Sequence, residues 1–104
     1  MEQHQYKYEF TPVAEQDIDD IFSYVSDELH SPQAADRLID RIQEEVESVC
    51  DFPFSRSLLT DPLLRARGYR LIVVENFNLF YIVENDVIVI HRVLYRRRNY
   101  RELL

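Results

Sequence analysis

The sequence has few of the residues that make flexible loops and covalent cross-links. Gly68 is the single glycine of the 104 residues, which leaves little room for long flexible loops. Cys50 is the single cysteine and cannot form an internal disulfide. No apolar run reaches the roughly 18 residues of a membrane span. We therefore expect a protein of the reducing cytoplasm, with no segment for export or for membrane insertion.

Several enzyme classes lack their sequence motifs. The chain has no glycine-rich phosphate loop, no cluster of Cys and His at metal-ligand spacing, and no Ser beside a plausible base. We therefore expect no metal and no cofactor. Of the histidines, His4 and His30 are expected at the surface, and only His91 lies near other candidate functional groups.

Charge is divided unequally between the two halves of the chain. Residues 1–52 hold three basic and fourteen acidic side chains, whereas residues 53–104 hold nine arginines and five acidic side chains. Five of those arginines lie in the final stretch, HRVLYRRRNYRELL, residues 91–104. Because the guanidinium fork binds phosphate through paired hydrogen bonds, this half predicts a phosphate-binding surface. The alternative is that the arginines pair with Glu75, Glu84 or the acidic helices.

The N-terminal half predicts a strand followed by a helical hairpin. Residues 5–10 alternate aromatic and polar side chains, which is the period of a half-buried strand. Thr11–Pro12 and Ser31–Pro32 are helix start signals, and each precedes an apolar stripe at helical spacing. The first stripe runs to about Leu29 and the second ends before Phe52. The short joint between them requires the two helices to be antiparallel.

The C-terminal half predicts an antiparallel meander. Residues 54–67 are irregular and are expected to form a loop, whereas residues 69–74, 78–83 and 87–94 are β-branched, apolar runs with hairpin-length connections. The last run is the most apolar and is expected to be a central strand. The fold prediction is a single α+β domain, residues 1–104, with a two-helix hairpin packed on one face of a four-stranded sheet.

Arginine and tyrosine alternate in the second half in a way that is typical of single-stranded RNA sites, where guanidinium groups hold phosphates and rings stack on bases. We expect Arg70 and part of the group from Arg92 to Arg98 to converge on one sheet face or edge. RNA cleavage also needs a proton donor and acceptor, which arginine cannot readily supply. That role would fall to Tyr95, Tyr100 or His91.

The order of these segments resembles a known family. AEQDIDDIFSYVSDEL (14–29), SPQAADRLIDRIQEEVESVCDFP (31–53), RGYRLIVVEN (67–76), LFYIV (79–83) and RVLYRRRNYRELL (92–104) are together similar to the RelE/ParE superfamily of bacterial toxins from type II toxin–antitoxin modules. The resemblance covers about residues 8–104. It implies the same helical hairpin and meander that the periodicity predicts.

The resemblance implies one of two activities. Some members cut messenger RNA on the ribosome, using Arg or Lys of the sheet with a C-terminal Tyr or His, and others poison DNA gyrase without known nuclease chemistry. Nuclease members commonly carry an arginine before the apolar run of the third strand, where this chain has Asn78. Many relatives have His in place of Tyr95 and Asp in place of Asn99.

The arginine–tyrosine pattern and the family resemblance together give the site prediction. The first hypothesis is ribosome-dependent mRNA cleavage, and the alternatives are gyrase inhibition or a degenerate toxin kept for antitoxin binding and autoregulation. The resemblance also implies an antitoxin partner in a hetero-oligomer. The catalytic candidates are Tyr95, Arg97, Arg98 and Tyr100, and the candidates for holding RNA phosphates are Arg65, Arg67, Arg70, Arg92 and Arg96.

Overall fold

The computed structural model describes residues 6–104 and has the predicted α+β architecture. The predictions for His4 and for the first residue of the N-terminal strand, Gln5, lie outside the described residues. The elements in chain order are β1 (Lys7–Phe10), α1 (Pro12–Ser23), a π-helical turn (Tyr24–Glu28), α2 (Pro32–Asp51), α3 (Pro62–Ala66), β2 (Arg70–Val74), β3 (Phe77–Glu84), β4 (Val87–Tyr95) and a 3₁₀ turn (Tyr100–Glu102).

The sheet has four strands in the order β1-β4-β3-β2. β1 is parallel to β4, and the other neighbours are antiparallel. The prediction that the last strand is central is therefore confirmed, because β4 lies between β1 and β3. β2 and β4 are separated by β3, so a residue of β2 lies two strands away from one of β4.

Side-chain capping fixes the beginning of the helical hairpin. The Thr11 hydroxyl accepts a hydrogen bond from the Ala14 amide (3.1 Å) and donates one to the His91 carbonyl (3.0 Å). It therefore joins the first turn of α1 to β4 where β1 has ended. At the joint before α2, His30 has a left-handed backbone (φ 52°), and Ser31 makes no side-chain capping bond.

Apolar side chains cover both faces of the sheet. On the helix side, α2 residues such as Leu38, Ile42 and Val46 pack against strand residues such as Ile72 and Leu79. The opposite face is covered by a second cluster, formed by Leu59, Leu64, Tyr69, Phe80 and Leu94 with the C-terminal Tyr100, Leu103 and Leu104. The C-terminal residues therefore fold back onto the body of the domain.

The segment predicted as an irregular loop, residues 54–67, contains α3, and that part of the prediction is wrong. Asp61 caps α3 by accepting hydrogen bonds from the Leu63 and Leu64 amides (3.1 and 3.2 Å), and Pro62 is its first residue. This is the same start signal as at the other two helices. Leu64 is buried, so α3 anchors the segment on the second face of the sheet.

Candidate functional site

The three consecutive arginines form an exposed loop at the end of β4. Arg96, Arg97 and Arg98 are all exposed. Backbone hydrogen bonds hold the loop, from the Arg96 amide to the Asn76 carbonyl (2.8 Å) and from the Arg98 amide to the Tyr95 carbonyl (2.9 Å). Within residues 6–104 none of the three guanidinium groups has an ion-pair partner. Their charge is therefore available to a ligand.

The two candidate tyrosines lie on opposite faces of the sheet. Tyr95 packs edge-on against Phe77 (5.7 Å between ring centroids), and Phe77 contacts the helix-side core. Tyr100 lies over Phe80 (5.0 Å), which belongs to the cluster on the second face. The two rings therefore pack on opposite faces of the sheet, and their contacts do not bring the phenol groups together at one site.

Arg92 is held by an internal ion pair. Its Nε and one terminal nitrogen donate to the two oxygens of Asp17 at 2.8 and 2.9 Å, and its other terminal nitrogen lies 3.5 Å from the Leu103 carbonyl. The hydrogen bond from Asp17 raises the pKa of the Arg92 guanidinium. The same carboxylate accepts from the Val93 amide (3.0 Å), which β1 does not reach. Asp17 therefore satisfies the β4 backbone beyond the end of β1, and Arg92 holds its carboxylate in place.

Arg70 lies at the other end of the sheet from the arginine loop. It begins β2, four residues before Val74, and Val74 is level with Phe77 and Tyr95. Four residues of strand span about 13 Å, and β3 lies between the two strands. One terminal nitrogen of Arg70 donates to the Arg56 carbonyl (2.6 Å), and its guanidinium lies over the Phe54 ring (5.1 Å). Arg70 therefore does not converge with Arg96, Arg97 and Arg98.

Two further candidate arginines belong to α3 and its end. Arg65 has one terminal nitrogen 3.5 Å from the Leu59 carbonyl, and Arg67 is exposed at the end of the helix. Both follow Leu64 in the sequence, and Leu64 packs on the second face of the sheet. Arg96 and Arg97, by contrast, line one cleft with the candidate tyrosine Tyr95, and the Arg98 amide binds the Tyr95 carbonyl.

His91 is enclosed near the start of α1. His91 has no partner on β3, because the register shifts between Phe80, which pairs with Arg92, and Tyr81, which pairs with Ile90. Its Nδ1 lies 3.4 Å from the Tyr69 hydroxyl, and its Nε2 is buried without a hydrogen-bond partner. Burial raises the pKa of Tyr69. The C-terminal leucines lie at the same cavity, so His91 does not face the arginine loop.

Sequence reasoning missed an apolar groove that ends at the arginine loop. The groove has a volume of about 730 Å³ and lies between the tip of the helical hairpin and the end of the sheet. Its most exposed apolar residues are Tyr24 (56% exposed), Leu29 (55%) and Tyr95 (46%). Tyr95 also lines the adjoining cleft with Asn76, Arg96 and Arg97. The two together form a largely apolar surface that also carries Asp20 and Glu75 and has arginines at one end, which we call the loop groove.

The only sequence signal for this groove is weak, and it is the end of the first apolar stripe. Tyr24 and Leu29 stand at the end of the first apolar stripe, where the helix changes to a π-helical turn and the joint to α2 begins. π-helical turns often occur at functional sites. The side chains present offer apolar contacts and free cations, and they suit an apolar segment that carries carboxylate or phosphate groups.

The described part of the chain contains neither a metal-binding group nor a membrane-spanning helix. Residues 6–104 bring together no set of three His, Cys, Asp or Glu side chains that could hold a metal ion. Among the same residues, no helix combines the length and apolar character needed to cross a membrane.

Comparisons with known proteins agree with this architecture. The family model described as "ParE toxin of type II toxin-antitoxin system, parDE" matches residues 8–100. A solved structure titled "Chromosomal ParDE TA system from P. aeruginosa" superposes with a TM-score of 0.73 and 22% sequence identity, over 88% of this chain and 97% of the other. No curated protein sequence matches. At this identity the structural likeness establishes the fold.

Proposed function

This chain belongs to the ParE toxin family of type II toxin–antitoxin systems, and from that premise we propose that it inhibits growth by binding DNA gyrase rather than by cutting RNA. The observation that carries the proposal is the position of Tyr95 and Tyr100 on opposite faces of the sheet. A type II toxin acts under the control of a protein antitoxin, which is the expected partner of this chain.

RNA cleavage requires several groups around one phosphate. A base, an acid and a stabilising charge must all lie within hydrogen-bond reach of the reacting atoms. In this chain the two tyrosine rings pack on opposite faces of the sheet, and Arg92 is occupied by Asp17. Asn78 stands where the resemblance expects a nuclease arginine, and its side-chain oxygen is buried without a partner. These features support an inhibitor that works by binding.

The loop groove has the properties that a binding inhibitor requires. Tyr24, Leu29 and Tyr95 supply apolar contact area, and aromatic side chains in such positions dominate the energy of many interfaces. Arg96 and Arg97 lie at one end of that surface. Gyrase bound to DNA presents both protein and phosphate, so an apolar groove with a cationic end suits such a complex.

Ribosome-dependent mRNA cleavage is the second candidate, and one observation favours it. Arg96 and Arg97 line the same cleft as Tyr95, and their guanidinium groups have no partner in the described chain. A phosphate bound by these guanidinium groups would lie beside the Tyr95 hydroxyl, the candidate group for proton transfer.

Growth arrest and DNA supercoiling together test the proposal. The purified chain should inhibit gyrase supercoiling, and its induction should trigger an SOS response without new 5′ ends in primer-extension maps of cellular mRNA. Arg97→Ala with Arg98→Ala should reduce inhibition at least tenfold. The matched control, Arg65→Ala with Arg67→Ala, removes two exposed arginines elsewhere and should retain it. New 5′ ends within the codons of cellular mRNA, with gyrase supercoiling unaffected, would instead establish mRNA cleavage.

A further inference from the structure

A second groove runs between α1 and α2 and shares no residue with the loop groove. It has a volume of about 490 Å³ and is lined by Ile18, Asp19, Phe22, Asp36, Ile39 and Asp40. We call it the hairpin groove. All six residues belong to the two helices, and Phe22 exposes 36% of its surface there. The floor is apolar and the rim carries three aspartates.

The three rim carboxylates have no cation of their own. Asp19, Asp36 and Asp40 are exposed and make no ion pair with residues 6–104. Residues 12–51 hold twelve acidic side chains and only Arg37 and Arg41 as basic ones. Two of the twelve, Asp17 and Glu45, are neutralised by arginines from outside the hairpin. The rim therefore remains negative.

The spacing of two rim aspartates works against the stability of the free helix. Asp36 and Asp40 are four residues apart on α2, and like charges at that spacing repel each other and destabilise a helix. A cationic partner that lies across the groove would remove this repulsion. Arg37 lies on the same helix, but within residues 6–104 neither aspartate forms an ion pair, so the pairing with a cation is left to a bound partner.

From this arrangement we infer that the hairpin groove docks a cationic amphipathic segment of the antitoxin. An apolar side chain of that segment would pack on Phe22 between Ile18 and Ile39, and Lys or Arg side chains one helical turn apart would pair with Asp36 and Asp40. Antitoxin segments of this kind fold on their partner when they bind. The negative rim repels nucleic acid, so the occupant is a protein segment.

This inference rests on the membership in a toxin–antitoxin family and not on the choice of gyrase as the target. The hairpin groove and the loop groove have no lining residue in common. An antitoxin bound at the hairpin groove would therefore engage the toxin outside the surface proposed for the target. The affinity for the antitoxin and the inhibition of gyrase can then be measured separately.

The test uses the full chain and the full-length antitoxin of the same module, with binding measured by calorimetry at several salt concentrations. The triple variant Asp19→Asn, Asp36→Asn, Asp40→Asn should raise Kd at least tenfold at low salt, and the difference should shrink as salt increases. The matched control, Glu9→Gln, Glu28→Gln, Glu84→Gln, removes the same charge from exposed positions outside the groove. It should change Kd less than twofold.

A second pair of variants tests the apolar floor. Phe22→Ala should raise Kd at least fivefold, whereas Phe52→Ala removes a more exposed phenylalanine (63%) outside the groove and should leave Kd unchanged. Equal affinity of the triple Asp→Asn variant and the wild type at every salt concentration overturns the inference. A concentration-dependent dimer of the chain alone that the triple variant abolishes also overturns it, because the groove would then belong to a second copy. If the wild-type chain binds the antitoxin but does not inhibit gyrase, only the proposed target is contradicted.

Discussion

Neutralising Asp17 should destabilise the fold far more than the loss of an ordinary surface ion pair. Only 12% of the Asp17 side chain and 17% of the Arg92 side chain are exposed, and two hydrogen bonds of 2.8 and 2.9 Å join them. Breaking a fully buried pair by removing one partner costs about 3–5 kcal/mol. Because both groups retain some solvent contact, we expect Asp17→Asn to lower the free energy of unfolding by about 2–3 kcal/mol.

A second substitution separates charge from hydrogen bonding. Asp17→Ala also removes the acceptor of the Val93 amide, which lies 3.0 Å from the carboxylate. Leaving that amide without a partner should cost roughly 1 kcal/mol more than Asp17→Asn. In the double variant with Arg92→Met, neither charge is left unpaired, so the combined cost should fall below the sum of the single costs by about 1.5 kcal/mol or more.

Urea denaturation followed by circular dichroism measures these differences. Arg101→Gln is the control, because the Arg101 side chain is 69% exposed and its bond to Asp61 is 3.1 Å. Arg101→Gln should cost less than about 1 kcal/mol.

The pKa of Arg92 is raised by its bond to Asp17. The stability that this pair contributes is therefore lost only as pH rises through the folded-state pKa of Arg92, above the ordinary arginine range. The cost of Asp17→Asn should therefore be the same at neutral and mildly alkaline pH. A cost within about 0.5 kcal/mol of zero would refute this reasoning.

Three further predictions concern single side chains. Tyr95→Phe keeps the ring that packs on Phe77 and should retain growth arrest under the gyrase proposal. Tyr95→Ala should weaken growth arrest at least tenfold in a dilution-plating assay. If Tyr95→Phe is as inactive as Tyr95→Ala, the hydroxyl itself takes part in the chemistry. Thr11→Ala removes the α1 cap and should cost about 1–2 kcal/mol in thermal denaturation, with Thr11→Ser close to wild type, and equal stability of all three would contradict the capping role. Burial raises the pKa of Tyr81, whose hydroxyl donates to the Pro53 carbonyl at 2.9 Å, so its share of stability is complete below the unfolded-state pKa near ~10 and is lost as pH rises above it. Denaturation between neutral and strongly alkaline pH should therefore show a smaller alkaline loss in Tyr81→Phe than in the wild type, and identical curves would refute this assignment.

The helices and strands could be predicted from the sequence because their signals are local. The apolar stripes of α1 and α2 repeat within each helix, and Thr11–Pro12 and Ser31–Pro32 mark where the helices begin. α3 was missed although Asp61–Pro62 is the same kind of start signal. The sequence nevertheless predicts a loop there, because the five residues of α3 are too few to show an apolar period.

The arrangement of the candidate site residues cannot be predicted from the sequence, because these residues meet only in three dimensions. Arg92 and Asp17 are 75 residues apart, and nothing near either position indicates their ion pair. The separation of Tyr95 from Tyr100 depends on the course of the chain after β4. Tyr100 crosses to the second face because Phe80, Leu103 and Leu104 pack there.

The sequence alone determined the four strands and the two long helices, their order, and the division into an acidic hairpin and an arginine-rich C-terminal half. These properties depend on residue type and on short-range spacing, which the chain carries in any conformation. Only the tertiary structure decided which charges are free. The ion pair between Arg92 and Asp17 needs β4 to lie beside α1, whereas Arg96, Arg97 and Arg98 stand beyond the strand and form no ion pair with the described residues. The stretch of five arginines is therefore divided by packing into structural cations and an exposed loop that a ligand can bind.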